Sequence, residues 1–87
     1  MNNLTEEEMF IYKWQYGMLG SFMNSLIRAI ATADKGNLYR LSLGFPMEVS
    51  AYKKFSGIEG WWQEVEKKVA TWKEQQNHDH EPIGGQP

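Results

Sequence analysis

The sequence predicts an all-α protein: a long N-terminal helix, two short helices and a C-terminal helix packed as a small helical bundle. Three observations carry that expectation. Tyr12, Tyr16, Leu19, Met23, Leu26, Ile30 and Ala33 follow one another at alternating spacings of four and three, which lays one apolar stripe along a helix. Ile58, Trp62, Val65, Val69 and Trp72 repeat the same alternation near the other end. Between them, glycine and proline divide the chain into short segments, and no stretch alternates with the period of two that a half-buried strand requires.

The first helix is expected over residues 5–34. Thr5 and Glu8 form a capping box, and Glu6, Glu7 and Glu8 put negative charge at the positive end of the helix dipole. Leu4 is placed to staple onto Met9 or Phe10. Phe10, Ile11, Trp14 and Met18 add apolar groups outside the main stripe, so the helix is either sandwiched by its own domain or shared with a partner. An unbroken helix of this length would span roughly 42 Å, overhanging a globule roughly 30 Å across. Gly17 and Gly20 sit mid-helix, where each costs about 1 kcal/mol relative to Ala, and mark a kink, a tight helix crossing or a subunit contact. Their face continues through Ser21, Asn24 and Arg28, where a neighbouring backbone or a ligand could come close. A homo-oligomer is therefore expected, with Trp14, Gly17, Met18, Ser21 and Trp61 at the interface.

After this helix, Gly36 is read as its left-handed terminator and Asn37 as the N-cap of the next element. Leu38, Leu41 and Phe45 give a short apolar edge that Gly44 stops, with Gly44 expected in a left-handed conformation. Pro46 suits a first helical position, with Glu48 in the first turn and Val49, Tyr52 and Phe55 on one side. Ser56 and Gly57 break the chain again. The last helix is expected from about Ile58 to Gln76, with Glu64 and Lys68 as an i,i+4 pair. Residues 1–76 thus make a single helical domain. Residues 77–87, NHDHEPIGGQP, lack periodicity and are expected to form a disordered tail. Tyr16, Phe22, Phe45 and Trp62 are expected in the core.

Charge and residue inventory bound the function. The chain has no cysteine, which removes disulfides and cysteine metal sites and suits a reducing compartment. Its amino terminus carries glutamates where a signal peptide would carry a basic patch, and no run is apolar enough for a membrane span. A cytoplasmic location in a host cell is expected. Enzyme chemistry is not expected: the histidines, His78 and His80, fall in the predicted tail, and Asp34 and Glu48 are the only carboxylates of the middle third. Neither a metal site nor a cofactor is expected. The formal net charge of −2 argues against duplex DNA.

The charge distribution is more informative than the total. Residues 28–57 carry Arg28, Lys35, Arg40, Lys53 and Lys54 against Asp34 and Glu48, while both flanking thirds are net negative. An anion would be drawn to this middle third. Tyr39 lies next to Arg40, and Tyr52 next to Lys53 and Lys54. A ring that stacks on a base, flanked by cations that hold phosphate, is a common grip on a nucleotide. Candidate ligand-binding residues are therefore Arg28, Lys35, Tyr39, Arg40, Tyr52, Lys53 and Lys54. The competing reading places Tyr52 in the core and the cations on an ordinary solvated surface.

The run from Phe22 to Trp62 reads F-x-x-x-L-x-x-A-I-x-x-A-D-x-x-N-L-x-x-L-x-x-G-F-P-x-E-V-x-A-Y followed by G-W-W. It resembles small proteins encoded in phages and prophages, over about half of the chain. The resemblance implies a context, that of small non-enzymatic accessory proteins which block a host protein or sequester a host signal. Joined to the basic middle third, it favours counter-defence by trapping an anionic, nucleotide-like ligand. Direct inhibition of a host defence protein through aromatic surfaces is the main alternative, and a small virion assembly factor is a third.

Overall fold

In the computed structural model, residues 4–84 are described in their backbone and residues 4–74 in their side chains. The chain forms α1 (Glu6–Gln15), α2 (Ser21–Thr32), α3 (Lys35–Gly44), α4 (Pro46–Gly57) and α5 (Trp61–Gly84). Among the described residues there is no strand, and the all-α bundle stands as expected. α4 is the shared support: α1, α2, α3 and α5 each pack against it. Its Val49 and Ala51 are buried almost completely. The molecule measures 58 × 27 × 17 Å, so it is elongated where a globule roughly 30 Å across was expected.

The helix expected over residues 5–34 is two helices. The capping box at its start is present: the Glu8 backbone N–H donates to Thr5 Oγ1 at 3.1 Å, and the Thr5 N–H donates to Glu8 Oε1 at 3.0 Å. α1 then ends at Tyr16, where Gly17 takes a φ of 69°. Gly17 N–H donates to the Trp14 carbonyl and Met18 N–H to the Lys13 carbonyl, the paired bonds of a Schellman stop. The glycine expected within one helix, as a kink, crossing or contact point, is thus the terminator. Periodicity could not reveal this, because α2 resumes in the phase that α1 left.

The next two corners differ from expectation for a related reason. Asp34, not Asn37, caps α3: its Oδ1 accepts the Asn37 N–H at 2.8 Å. Gly36 therefore lies inside α3 and does not terminate α2. Carboxylate and amide are comparable caps, and Asp34 comes first along the chain. Gly44 is the last residue of α3 and is not in the left-handed region. Pro46 occupies the start of α4 as expected. Near the end, Ile58 caps α4 instead of opening α5, and the turn into α5 is made by Gly60 with a φ of 81°. α5 continues to Gly84 where a disordered tail was expected from Asn77. Gln75, Gln76 and Asn77 contain no breaker, so nothing local stops the helix there.

Three contiguous clusters form the core. Phe10, Ile11, Ile27 and Ala51 meet where α1 and α2 cross α4, with Trp14, Phe55 and Trp62 packed around them. Tyr12, Val65 and Val69 join α1 to α5, together with Leu4, Met9 and Trp72. Leu26, Ile30 and Val49 join α2 to α4, with Leu38, Leu41 and Phe45 of the α3 side. Phe45 and Trp62 are half-buried core residues. Tyr16 and Phe22 are not: they are 52% and 63% exposed. Tyr16 follows the last turn of α1 against Tyr12 and under Lys73, and Phe22 opens α2 with its ring 6.1 Å from Phe45.

Two ion pairs pin α1 in place. Lys54 Nζ donates to Glu7 Oε1 at 2.5 Å, and Ser50 Oγ donates to the other Glu7 oxygen. Lys68 Nζ donates to Glu8 Oε2 at 2.8 Å. Lys68 is thereby drawn away from Glu64, whose 3.5 Å partner is Lys67. The Lys54 and Ser50 hydrogen bonds hold the Glu7 carboxyl below its ordinary value. For Glu8, burial pushes upward most strongly, but the Lys68 and Thr5 hydrogen bonds together outweigh it and the net shift is downward.

These observations set two expected outcomes. Both glutamates have lowered folded-state pKa values, so their stabilisation is present above the ordinary carboxylate range and is lost as pH falls through the lowered values. Urea midpoints should therefore fall on acidification below about pH 4.3, and Glu7→Gln with Glu8→Gln should flatten that dependence. The glycines should also separate. Gly60→Ala should lower stability by about 1–2 kcal/mol through left-handed strain, whereas Gly44→Ala, with open space around the new methyl, should be neutral or gain up to about 1 kcal/mol. Denaturant melts of the two variants make the comparison.

Candidate functional site

The seven candidate ligand residues do not converge on one pocket. Lys54 is committed to Glu7 and serves the α1–α4 contact. Lys53 is exposed on α4, and Lys35 is exposed at the first position of α3. Tyr39 is 65% exposed on α3 and stacks on no ring among the described residues. The remaining residues fall into two clefts. One lies at the α2–α3 corner, holds about 500 Å³ and is lined by Ala29, Thr32, Ala33, Asp34, Asn37, Arg40 and Leu41. The other holds about 430 Å³ between α1, α2 and α4, and is lined by Trp14, Asn24, Ile27, Arg28, Ala31 and Tyr52.

The second cleft has the chemistry that the sequence associates with a nucleotide. Its wall is an aromatic assembly: the Trp14 and Tyr52 centroids are 6.1 Å apart, and Trp14 also meets Phe55 edge-on at 5.2 Å. Phe55 and Tyr52 are themselves 6.1 Å apart, so the two lining rings are braced from behind. Ile27 and Ala31 supply an apolar floor on α2. Arg28 is exposed; its carbonyl accepts from Thr32 Oγ1 at 3.0 Å, while its guanidinium makes no hydrogen bond or ion pair within the described residues. Asn24 lies one turn before it. Its Nδ2 donates to the Leu19 carbonyl at 3.2 Å, which steadies the side chain and leaves the amide oxygen as an acceptor.

That arrangement offers a planar ligand two aromatic rings, one acceptor and one guanidinium able to make paired bonds to a phosphate or carboxylate. The first cleft offers less. Arg40 is its cation, but Asp34 lines the same space and no aromatic ring does. A carboxylate facing an anion is unfavourable by simple Coulomb repulsion.

Sequence reasoning named Arg28 and Tyr52 for the ligand but assigned Trp14 to a subunit interface. Trp14 is half-buried against Tyr52 and Phe55. Trp61, also assigned to the interface, is half-buried between two core clusters. Gly17, Met18 and Ser21 are exposed. Asn24 was placed with Arg28 on the helix face that a ligand could approach, though not among the binding residues, and Ile27 was not named. Nothing local joins Trp14 to them. His78 and His80 lie outside the described side chains.

No protein-family model, curated protein or solved structure matches this chain. No helix among the described residues is long and apolar enough to cross a membrane. The functional reading therefore rests on the site itself.

One expected outcome separates the cations. Lys54→Met should lower the melting temperature by several degrees, on the scale of about 1 kcal/mol for a domain this small, because it leaves the half-buried Glu7 without its partner. Arg28→Ala should leave the melting temperature within about 1 °C of the parent, since surface changes without partners are close to neutral. Differential scanning calorimetry reads both.

Proposed function

We propose that this chain is a non-enzymatic binding protein whose α1–α2–α4 cleft receives a planar, anionic, nucleotide-like ligand. The observation that carries the reading is the unpartnered Arg28 guanidinium lining one cleft with the Trp14 and Tyr52 rings. A base or comparable flat group would lie against the rings, with its phosphate on Arg28 and an exocyclic donor on the Asn24 oxygen. Stacking on an aromatic ring contributes about 1–3 kcal/mol per base, and a charge-assisted hydrogen bond about 1.5–3 kcal/mol. Together these fit a sequestering protein, which needs retention and no chemical step. In the phage setting that the sequence resemblance implies, such sequestration would remove a host signalling molecule.

A second reading is favoured by a separate observation. Phe22, Tyr39 and Leu43 are each more than 60% exposed, and large exposed apolar side chains are contact anchors in protein complexes. Direct inhibition of a host protein would use that surface and not the cleft.

Calorimetric titration with cyclic and linear nucleotides tests the choice. Binding by the parent should weaken by about 10- to 100-fold in Arg28→Ala, the factor expected for one charge-assisted contact. Arg40→Ala, altered in the other cleft, should bind as the parent does. Loss in Arg40→Ala with retention in Arg28→Ala would move the site to the α2–α3 corner. Absence of binding for every nucleotide at millimolar concentration would sink the reading.

A further inference from the structure

We infer that α1 is exchanged between two copies of this chain, so that Trp14 of one copy completes the Arg28–Tyr52 cleft of the other. The exchange opens the joint at residues 16–20, fuses α1 and α2 into one continuous helix, and seats each α1 on the partner's α4 and α5. It adds the partner's contribution to the cleft described above; the exchange itself does not depend on what that cleft binds.

Four observations point to it. First, the apolar pattern runs through the joint without a change of phase: Tyr12, Tyr16, Leu19, Met23, Leu26, Ile30 and Ala33 keep their spacing of four and three. A chain meant to turn at that point has no need of a pattern for the unbroken helix. Second, the turn is held by short-range bonds: the paired hydrogen bonds of Gly17 and Met18 and the Asn24 amide on the Leu19 carbonyl. Gly17 at φ 69° supplies the stop, and Met18, which follows it, is 58% exposed. Gly20 caps α2 with no side-chain hydrogen bond.

Third, the contacts that anchor α1 are directed at α4 and α5, far along the chain. Glu7 meets Lys54 and Ser50, Glu8 meets Lys68, Tyr12 meets Trp72 and Trp14 meets Phe55. Each can be remade unchanged on a second copy, which is the condition for exchange at small cost. Fourth, apolar surface is left over at the joint. Tyr16, Met18 and Phe22 are each more than half exposed. A Cβ placed on Gly17 or Gly20 would meet nothing within 4 Å, so neither glycine is required by packing within one copy. In the exchanged pair, two continuous helices cross at this joint. Gly17, Gly20 and Ser21 would then allow close approach, and the three exposed side chains would be covered.

The chain has no cysteine, which makes the test direct. In Glu7→Cys with Ser50→Cys, a short bis-maleimide joins α1 to the α4 on which it is seated. Circular dichroism confirms folding, retained through the Glu8–Lys68 pair and the apolar contacts. Cross-linked samples are run under denaturing conditions across a wide concentration range, alone and with Gly17→Ala or Gly17→Asn. Exchange predicts a two-chain band that grows with concentration. Gly17→Ala should raise the dimerisation constant by roughly tenfold for each joint, because alanine resists the left-handed turn and favours the fused helix. Gly17→Asn, which tolerates that turn, should stay near the parent.

Links formed only within single chains, at every concentration and in both glycine variants, would overturn the inference. So would a dimer by light scattering whose links are all within one chain, since that dimer would form without exchange. If Gly17→Ala fails to fold, the concentration series in the Gly17 parent decides alone.

Discussion

Burial of one short helix from several sides organises this protein. α4 is a twelve-residue segment, yet Val49 faces the α2 and α3 side while Ala51 faces the crossing of α1 and α2. Neither has appreciable solvent exposure. Residues two apart on a helix lie on different faces, so the pair is buried only if neighbours cover both. α1, α2, α3 and α5 do so. Ala51 is small where α1 and α2 come nearest, and Phe10, Ile11 and Ile27 close over it. A larger side chain there would force apart the helices that define the cleft.

The same dependence places the candidate site. Trp14 comes from α1, Asn24 and Arg28 from α2 and Tyr52 from α4. Because α1 and α2 both rest on α4, the crevice between them opens over Tyr52. The rings gain rigidity from Phe55 beneath, and Arg28 stays in solvent because α2 turns its Leu26–Ile27–Ile30 side inward. Charge follows from this division. Cations that face the body, such as Lys54 and Lys68, are consumed in holding α1. Arg28, which faces away, makes no ion pair among the described residues.

The glutamates of the first turn illustrate how one residue serves two levels of structure. Glu8 closes the capping box locally and meets Lys68 across the fold. Glu7 does no local capping and reaches Lys54 and Ser50 instead. Reading Glu8 as a capping-box partner and both as favourable charges at a helix N-terminus was correct for the helix and incomplete for the bundle. The joint between α1 and α2 shows the converse. Locally it is a turn made by one glycine, while the pattern on either side is that of an unbroken helix.

The sequence by itself determined the all-α class, the capping box at Thr5, the Pro46 start of α4 and the apolar faces of α2 and α5. Each is a short-range property: spacing within a turn or two, or a side chain reaching its own backbone. Arg28 and Tyr52 were legible as candidates on residue type alone. Only the tertiary structure decided that Gly17 breaks the first helix and that Gly44 does not break the third. Glycine permits either conformation, and packing selects between them. It also decided which cations remain free, because an ion pair such as Glu7–Lys54 joins residues far apart in the chain. The place of Trp14 was decided in the same way. Its spacing relative to α2 says nothing about a shared cleft until α4 brings the two helices together.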